Sequence, residues 1–319
     1  MVRMSTAFYT HSDCLLHDMG PGHPECPARL TAIQEHLRAI GLDRVLAWRD
    51  APVVSLQALE RAHSRAHVRA LTDLLGALRD QQRLQALDPD TTGGPGTSAA
   101  VSRAAGAAVA ATDAVIDGAV TNAFCAVRPP GHHATHEQVM GFCFFNNVAV
   151  AARHALDQRG LQRVAIIDFD VHHGNGTEDI VAGDERILMC GFFQHPLYPY
   201  SGAVPRAGNL LNVPVAPYTR GAAVRELIDL QWIPRLDAFR PEMLFISAGF
   251  DAHRDDGLAQ MGLVEEDYAW ITERLMAVAE RHCKGRLVSC LEGGYHLGAL
   301  ARSVAAHLQV LSGIRGHEG

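Results

Sequence analysis

At 319 residues the chain can bury one large core, and no Pro/Gly/Ser-rich linker divides its patterned segments, so one domain spanning 1–319 is expected. A net charge of −7, with 48% apolar and 20% charged residues, argues against a nucleic-acid partner, because duplex binding needs clustered Lys and Arg. Seven cysteines, an odd number with no Cys-x-x-Cys pair, argue against a disulfide framework or a thiolate zinc knuckle, so any metal falls to His and Asp.

The opening Met1-Val-Arg-Met-Ser-Thr-Ala-Phe-Tyr9 lacks the apolar centre of a secretory signal, and no apolar run reads as long enough to span a bilayer. A cytoplasmic protein without a membrane partner is therefore expected. Thr10 to Cys26 reads as a loop, Pro27 to Ile40 as a helix with a first-turn proline and Gly41 at a left-handed cap, and Ser64 to Gln85 as a second helix. Asp88 to Thr97 reads as a loop, and Ser98 to Asp117 as a helix whose small residues, Ala104 to Ala114, allow close packing on a sheet. Strand-like runs Asn122–Val127, Val164–Ile167, Glu242–Ser247 and Arg286–Leu291 then alternate with helical segments Phe144–Gln158 (followed by Gly160), Ala222–Phe239, Glu265–His282 and Gly298–Leu311. Phe192 to Tyr218, rich in Gly, Pro and aromatic residues, reads as a long functional loop. The alternation predicts an α/β fold with a parallel sheet.

Each strand-like run ends in polar residues: Arg128-Pro-Pro-Gly-His132-His133, Asp168-Phe-Asp170-Val-His172-His173, Gly249-Phe-Asp251-Ala-His253 and Glu292-Gly293-Gly294-Tyr295-His296. In parallel α/β sheets ligands bind beyond the carboxyl ends of the strands, so the four deliveries can converge on one pocket. Asp170 and His172 are two residues apart and project to the same side of an extended segment, offering an oxygen and a nitrogen to one cation, with Asp251 the natural third ligand. His132-His133, beyond a sharp Pro-Pro-Gly turn, can manage protons beside that ion, Asp168 is left to orient an imidazole, and Tyr295 can donate to an oxyanion. The chemistry indicated is metal-assisted amide hydrolysis. Taken singly, Asp-x-His, a histidine pair, a half-buried tyrosine or a helix-capping Asp251 is commonplace; their joint arrival at the strand ends is not.

Arg128-Pro-Pro-Gly-His-His-Ala134, Gly141-Phe-Cys-Phe-Phe-Asn-Asn147, Asp168-Phe-Asp-Val-His-His-Gly-Asn175, Gly249-Phe-Asp-Ala252 and Leu291-Glu-Gly-Gly-Tyr295 resemble the signature blocks of zinc-dependent histone deacetylases and bacterial histone deacetylase-like amidohydrolases, the class II pattern best. The resemblance implies the arginase/deacetylase fold, a central, mainly parallel sheet of about eight strands flanked by helices. It implies Asp170, His172 and Asp251 as ligands of Zn²⁺, with Fe²⁺ as the alternative; His132 paired with Asp168; His133, the principal base and acid, paired with Asn175; and Tyr295 as the transition-state tyrosine. Gly141, Phe142 and Tyr198 match the substrate tunnel, the second aromatic being usually phenylalanine in the family, with Gly293 and Gly294 beside it and His23 at the entrance. Arg29 matches the arginine of an internal cavity where acetate leaves, and either Asp88 or Asp90 the rim aspartate. K⁺ near Asp168 is a second ion the resemblance implies, although Met189 falls near the position of a contributing serine. Leu258 stands where polyamine deacetylases carry a carboxylate gatekeeper, which favours acyl-lysine or another neutral-stemmed amide over acetylpolyamines. The resemblance counts against an arginase, which needs two metals, and Tyr295 counts against a non-catalytic acyl-lysine binder. Homo-oligomerisation stays open.

Overall fold

The computed structural model describes residues 5–314; Met1–Met4, part of the segment read for a secretory signal, lie outside them. The first part of the chain forms β1 (Thr6–Thr10), α1 (Ala28–Ala39), β2 (Ala47–Asp50), α2 (Leu56–Leu59), α3 (Arg65–Asp80), β3 (Gln85–Asp88), β4 (Thr91–Gly93), α4 (Thr97–Ile116) and β5 (Asn122–Cys125). There follow α5 (Asn147–Asp157), β6 (Val164–Asp168), α6 (Asn175–Val181), β7 (Ile187–Gln194) and β8 (Leu210–Val215). The last part forms α7 (Gly221–Leu227), α8 (Ile233–Phe239), β9 (Leu244–Ala248), α9 (Glu265–His282), β10 (Leu287–Leu291) and α10 (Leu297–Leu311).

Eight strands form one sheet in the order β2-β1-β5-β10-β9-β6-β7-β8, and every pairing is parallel. The four central strands β5, β10, β9 and β6 are buried along their whole length, as expected where helices cover both faces of a parallel sheet. One helical layer joins α4 and α5, which pack on β1, β5, β6 and β9; another joins α1, α10 and α9. Side-chain caps fix several helix starts: Asn146 accepts the Ala149 N–H at 3.0 Å, and His296 Nδ1 accepts that of Ala299 at 3.1 Å. Gly41 and Gly160 take the left-handed conformation after α1 and α5, as their positions predict.

Four expectations need correction. The segment Phe192–Tyr218 is not all loop: β7 runs to Gln194, and Leu210–Val215 is edge strand β8, disguised by Pro214, which an edge tolerates because one side of its backbone is unpaired. The helix read as Ser64–Gln85 stops at Asp80; Gln82 is left-handed and Gln85 opens an antiparallel hairpin, the apolar Leu84 having continued the helical period. That hairpin's second strand, Thr91–Gly93, also occupies part of the expected loop Asp88–Thr97. Finally, α4 is long and apolar enough to cross a membrane by length and composition; more than half of it is buried, and its alanines lie against the sheet.

Candidate active site

The four polar clusters follow β5, β10, β9 and β6, which are neighbours in the sheet, so they meet at one edge of its centre. Strand β6 ends at Asp168, and Asp170 to His172 lie in bends beyond it, so simple strand alternation is not what aligns them. A relay of backbone donors does so instead. The N–H of Asp170 donates to Asp168 Oδ1 at 3.1 Å, that of His172 to Asp170 Oδ1 at 2.8 Å, that of Val171 to Asp251 Oδ1 at 3.0 Å, and that of Gly293 to Asp170 Oδ2 at 2.9 Å.

Asp170, His172 and Asp251 are all buried and each brings a ligand atom within 4.8 Å of the others. His172 Nδ1 lies 3.0 Å from Asp170 Oδ1 and 3.2 Å from Asp251 Oδ2, an atom buried without an aligned hydrogen bond. Burial favours neutral His172, but the two flanking carboxylates outweigh it and hold its pKa up at about 10. Burial and the nearby Asp170 carboxylate push Asp251 up to about 6. Two carboxylates around one imidazole, with one oxygen left without an aligned hydrogen bond among the described residues, make a site rich in negative charge, and this O, N, O set fits a divalent cation. A Cβ at residue 293 would overlap both carboxylates, so only glycine fits there.

His132 Nδ1 lies 3.0 Å from Asp168 Oδ2, and His133 Nδ1 lies 2.7 Å from Asn175 Oδ1. The two imidazoles are 4.0 Å apart between centroids, yet their charge states separate. For His132, burial is outweighed by Asp170 and Asp168, which hold its pKa well above the usual value; for His133, burial together with His132 and His172 pushes it well below. Glu292 sets the pair in place: its Oε2 accepts the N–H of Gly131 at 2.7 Å and of His132 at 3.1 Å, and its Oε1 accepts the Ser247 hydroxyl at 3.0 Å. Burial pushes Glu292 up to about 7.

Around this floor stand the remaining residues. Phe142 meets His23 edge-on at 4.7 Å and Tyr295 at 5.9 Å; Tyr198 meets His133 at 5.2 Å and His172 at 6.3 Å. Phe142 has φ +68°, a conformation costly for an aromatic residue, and its N–H is held by Thr91 Oγ1 at 2.8 Å. The neighbouring Gly141 N–H donates to Asp90 Oδ1 at 3.2 Å, and a Cβ there would strike the His133 ring. Of the two rim candidates, Asp90 therefore touches the wall of the site, while Asp88 accepts the Asp90 N–H at 3.0 Å and lines a cavity of about 530 Å³ alongside. Leu258 is 39% exposed. Arg29 is buried beneath Tyr295, its guanidinium 5.0 Å from the ring centroid, and donates from Nε to the Gly294 carbonyl at 2.7 Å. Glu25 neutralises Arg29 at 3.2 Å and grips Arg128 with both oxygens; these cations overcome its burial and hold its pKa at about 2.

The structure thus brings the three ligand candidates, the two histidine pairs, Tyr295 and the tunnel residues together, while Leu258 is linked to them through Asp256, whose Oδ1 accepts its N–H at 3.1 Å and whose Oδ2 accepts that of Tyr295 at 2.6 Å. The sequence reading missed Glu292, Glu25, Arg128 and Asp256. Glu292 stood within a quoted motif, and its position directly after a buried strand was the available signal; Glu25 and Asp256 look like ordinary solvated turn residues.

Residues 23–311 match the histone deacetylase domain family. A histone deacetylase-like amidohydrolase of Pseudomonas aeruginosa is 36% identical, over 97% of this chain and 87% of that one. A probable deacetylase of Archaeoglobus fulgidus is 36% identical over 93% and 83%, and polyamine deacetylase HDAC10 of Mus musculus is 37% identical over 97% and 48%. The crystal structure of the HDA15 HD domain superposes with a TM-score of 0.91 at 32% identity, covering 98% of this chain and 90% of that one. The chain belongs to the histone deacetylase family and is a deacetylase or amidohydrolase of that family, with a divalent-metal site at Asp170, His172 and Asp251.

Proposed function

We propose that the protein removes acetyl or other acyl groups from acyl-lysine side chains or related neutral-stemmed amides, with Zn²⁺ as the resident ion. The observation that carries this reading is the placement of His133: buried beside His172, its Nδ1 engaged by Asn175 at 2.7 Å, in surroundings whose burial and neighbouring imidazoles push its pKa down. An imidazole so held is ready to accept a proton. A Zn²⁺ held by Asp170, His172 and Asp251 supplies Lewis-acid polarisation of the amide carbonyl and acidifies water. His133 takes the proton of the attacking water and later protonates the leaving amine; His132, held by Asp168 at 3.0 Å, stands beside it. Tyr295 donates its phenolic proton to the oxyanion that forms at the attacked carbonyl. Phe142 and Tyr198 would sandwich the apolar stem, Asp90 and His23 border the entrance, and Arg29, buried beneath Tyr295, would meet the released carboxylate.

A second reading, acetylpolyamine hydrolysis, is favoured by the likeness to a polyamine deacetylase over 97% of this chain. Leu258 weighs against it, because a leucine offers nothing to a secondary ammonium group. The test is a panel of acetyl-lysine peptides, longer acyl-lysines and acetylpolyamines on metal-quantified protein. Acetyl-lysine turnover that vanishes on chelation and returns with Zn²⁺ is expected; turnover confined to acetylpolyamines overturns the acyl-lysine reading.

A further inference from the structure

We propose that Asp256 is a positioning residue: its buried carboxylate sets both the catalytic tyrosine and the leucine at the mouth, an inference that rests on the role given above to Tyr295. Asp256 lies in the turn Arg254-Asp255-Asp256-Gly257 and is 5% exposed, although Asp255, Gly257 and Leu258 on either side are exposed. Its Oδ2 accepts the N–H of Tyr295 at 2.6 Å and of His296 at 3.0 Å, and its Oδ1 accepts the N–H of Leu258 at 3.1 Å. Its own N–H donates to the His253 carbonyl at 2.9 Å, which braces the turn. Among the described residues no Lys, Arg or His pairs with it, so backbone N–H groups satisfy buried oxygens that would be costly to leave unpaired.

The need for such an anchor is visible in the chain. Tyr295 follows Gly293-Gly294, the most freely rotating dipeptide available, with Gly294 at φ +120°. Arg29 holds this segment through the Gly294 carbonyl at 2.7 Å, and Asp256 holds it through the next two N–H groups. The phenol is therefore fixed from both sides of its own backbone. The same carboxylate places Leu258, so the geometry of the oxyanion donor and that of the entrance share one support.

The test is a double-mutant cycle with an acetyl-lysine amide: Asp256→Asn alone and in a Tyr295→Phe background, each with metal quantified. Asparagine keeps the shape but has one acceptor oxygen, so one set of N–H groups then faces an amide NH₂. The expected result is a loss in kcat of about 10- to 100-fold with Tyr295 present and under about threefold in the Tyr295→Phe background, at unchanged metal content. Equal losses in both backgrounds, unchanged kcat, or loss of the metal would each overturn the proposal. A readout independent of turnover is amide hydrogen exchange across residues 293–297, expected to quicken about tenfold or more in Asp256→Asn. Unaltered protection there overturns the anchor. If the wild-type protein turns over no acetylated amide, the acyl-lysine reading falls, while the exchange measurement still decides whether Asp256 holds the segment.

Discussion

The floor of the site and its mouth are built by different means. On the floor, Asp170 receives the N–H groups of His172 and Gly293, Asp251 that of Val171, and Glu292 those of Gly131 and His132; all three carboxylates are fully buried at the ends of the central strands. At the mouth, Phe142, Tyr198 and Leu258 ride on loops, and few bonds hold them: Thr91 to the Phe142 N–H, Asp256 to that of Leu258. The difference teaches where each property is stored. The groups on the floor are fixed by backbone geometry that tolerates little change, whereas the loop residues proposed to select the substrate lie outside the sheet.

The largest expected effect is on the floor. Asp251→Asn removes one of two carboxylates, and metal retention and turnover should both fall by about 100-fold or more. Elemental analysis beside a turnover assay checks this; a variant with full metal and full activity would show that the triad is not the metal site. Next comes Asn175→Asp. Burial and two neighbouring imidazoles keep the His133 pKa below 6.5, so the acid limb of kcat/KM should lie below pH 6.5 in the wild type. An added negative charge next to Nδ1 favours the imidazolium, raises that pKa, and so moves the limb to higher pH. An unmoved limb would remove His133 from the role of base.

At the mouth the effects should be smaller and concern choice rather than rate. Leu258→Glu is expected to shift kcat/KM by about tenfold in favour of acetylated polyamines over acetyl-lysine, and a flat specificity profile would exclude residue 258 from the gate. Smallest is Tyr198→Phe. Among the described residues the buried Tyr198 hydroxyl has no hydrogen-bond partner, so its removal should leave acetyl-lysine turnover within about threefold and stabilise the fold by about 1 kcal/mol, read by denaturant melts. A marked loss of activity would mean that the hydroxyl meets the substrate.

The same division explains what could be read from the sequence. Strands β5, β6, β9 and β10 are buried on both faces, so each shows as a short apolar run, and the polar residues placed beyond them betray the site. Asp170, His172 and Asp251 were found in this way, even though the bends after β6, not strand alternation, bring the first two together. Strand β8 was hidden because an edge strand is only partly buried and carries Pro214. Asp256 was hidden for another reason: two of its three backbone N–H partners come from about forty residues away, and nothing local marks a carboxylate that will meet them. The pairing of Glu25 with Arg128, 103 residues apart, was equally invisible.

Strand β10 is the last strand in sequence among the described residues, yet it lies between β5 and β9 in the middle of the sheet. Until Leu287–Leu291 has emerged from the ribosome and slotted into this gap, β5 and β9 have no shared neighbour, and Glu292 and Tyr295 are missing from the pocket. The pocket is therefore completed only when β10 enters the sheet, and before that step β5 and β9 each present an edge of unpaired backbone.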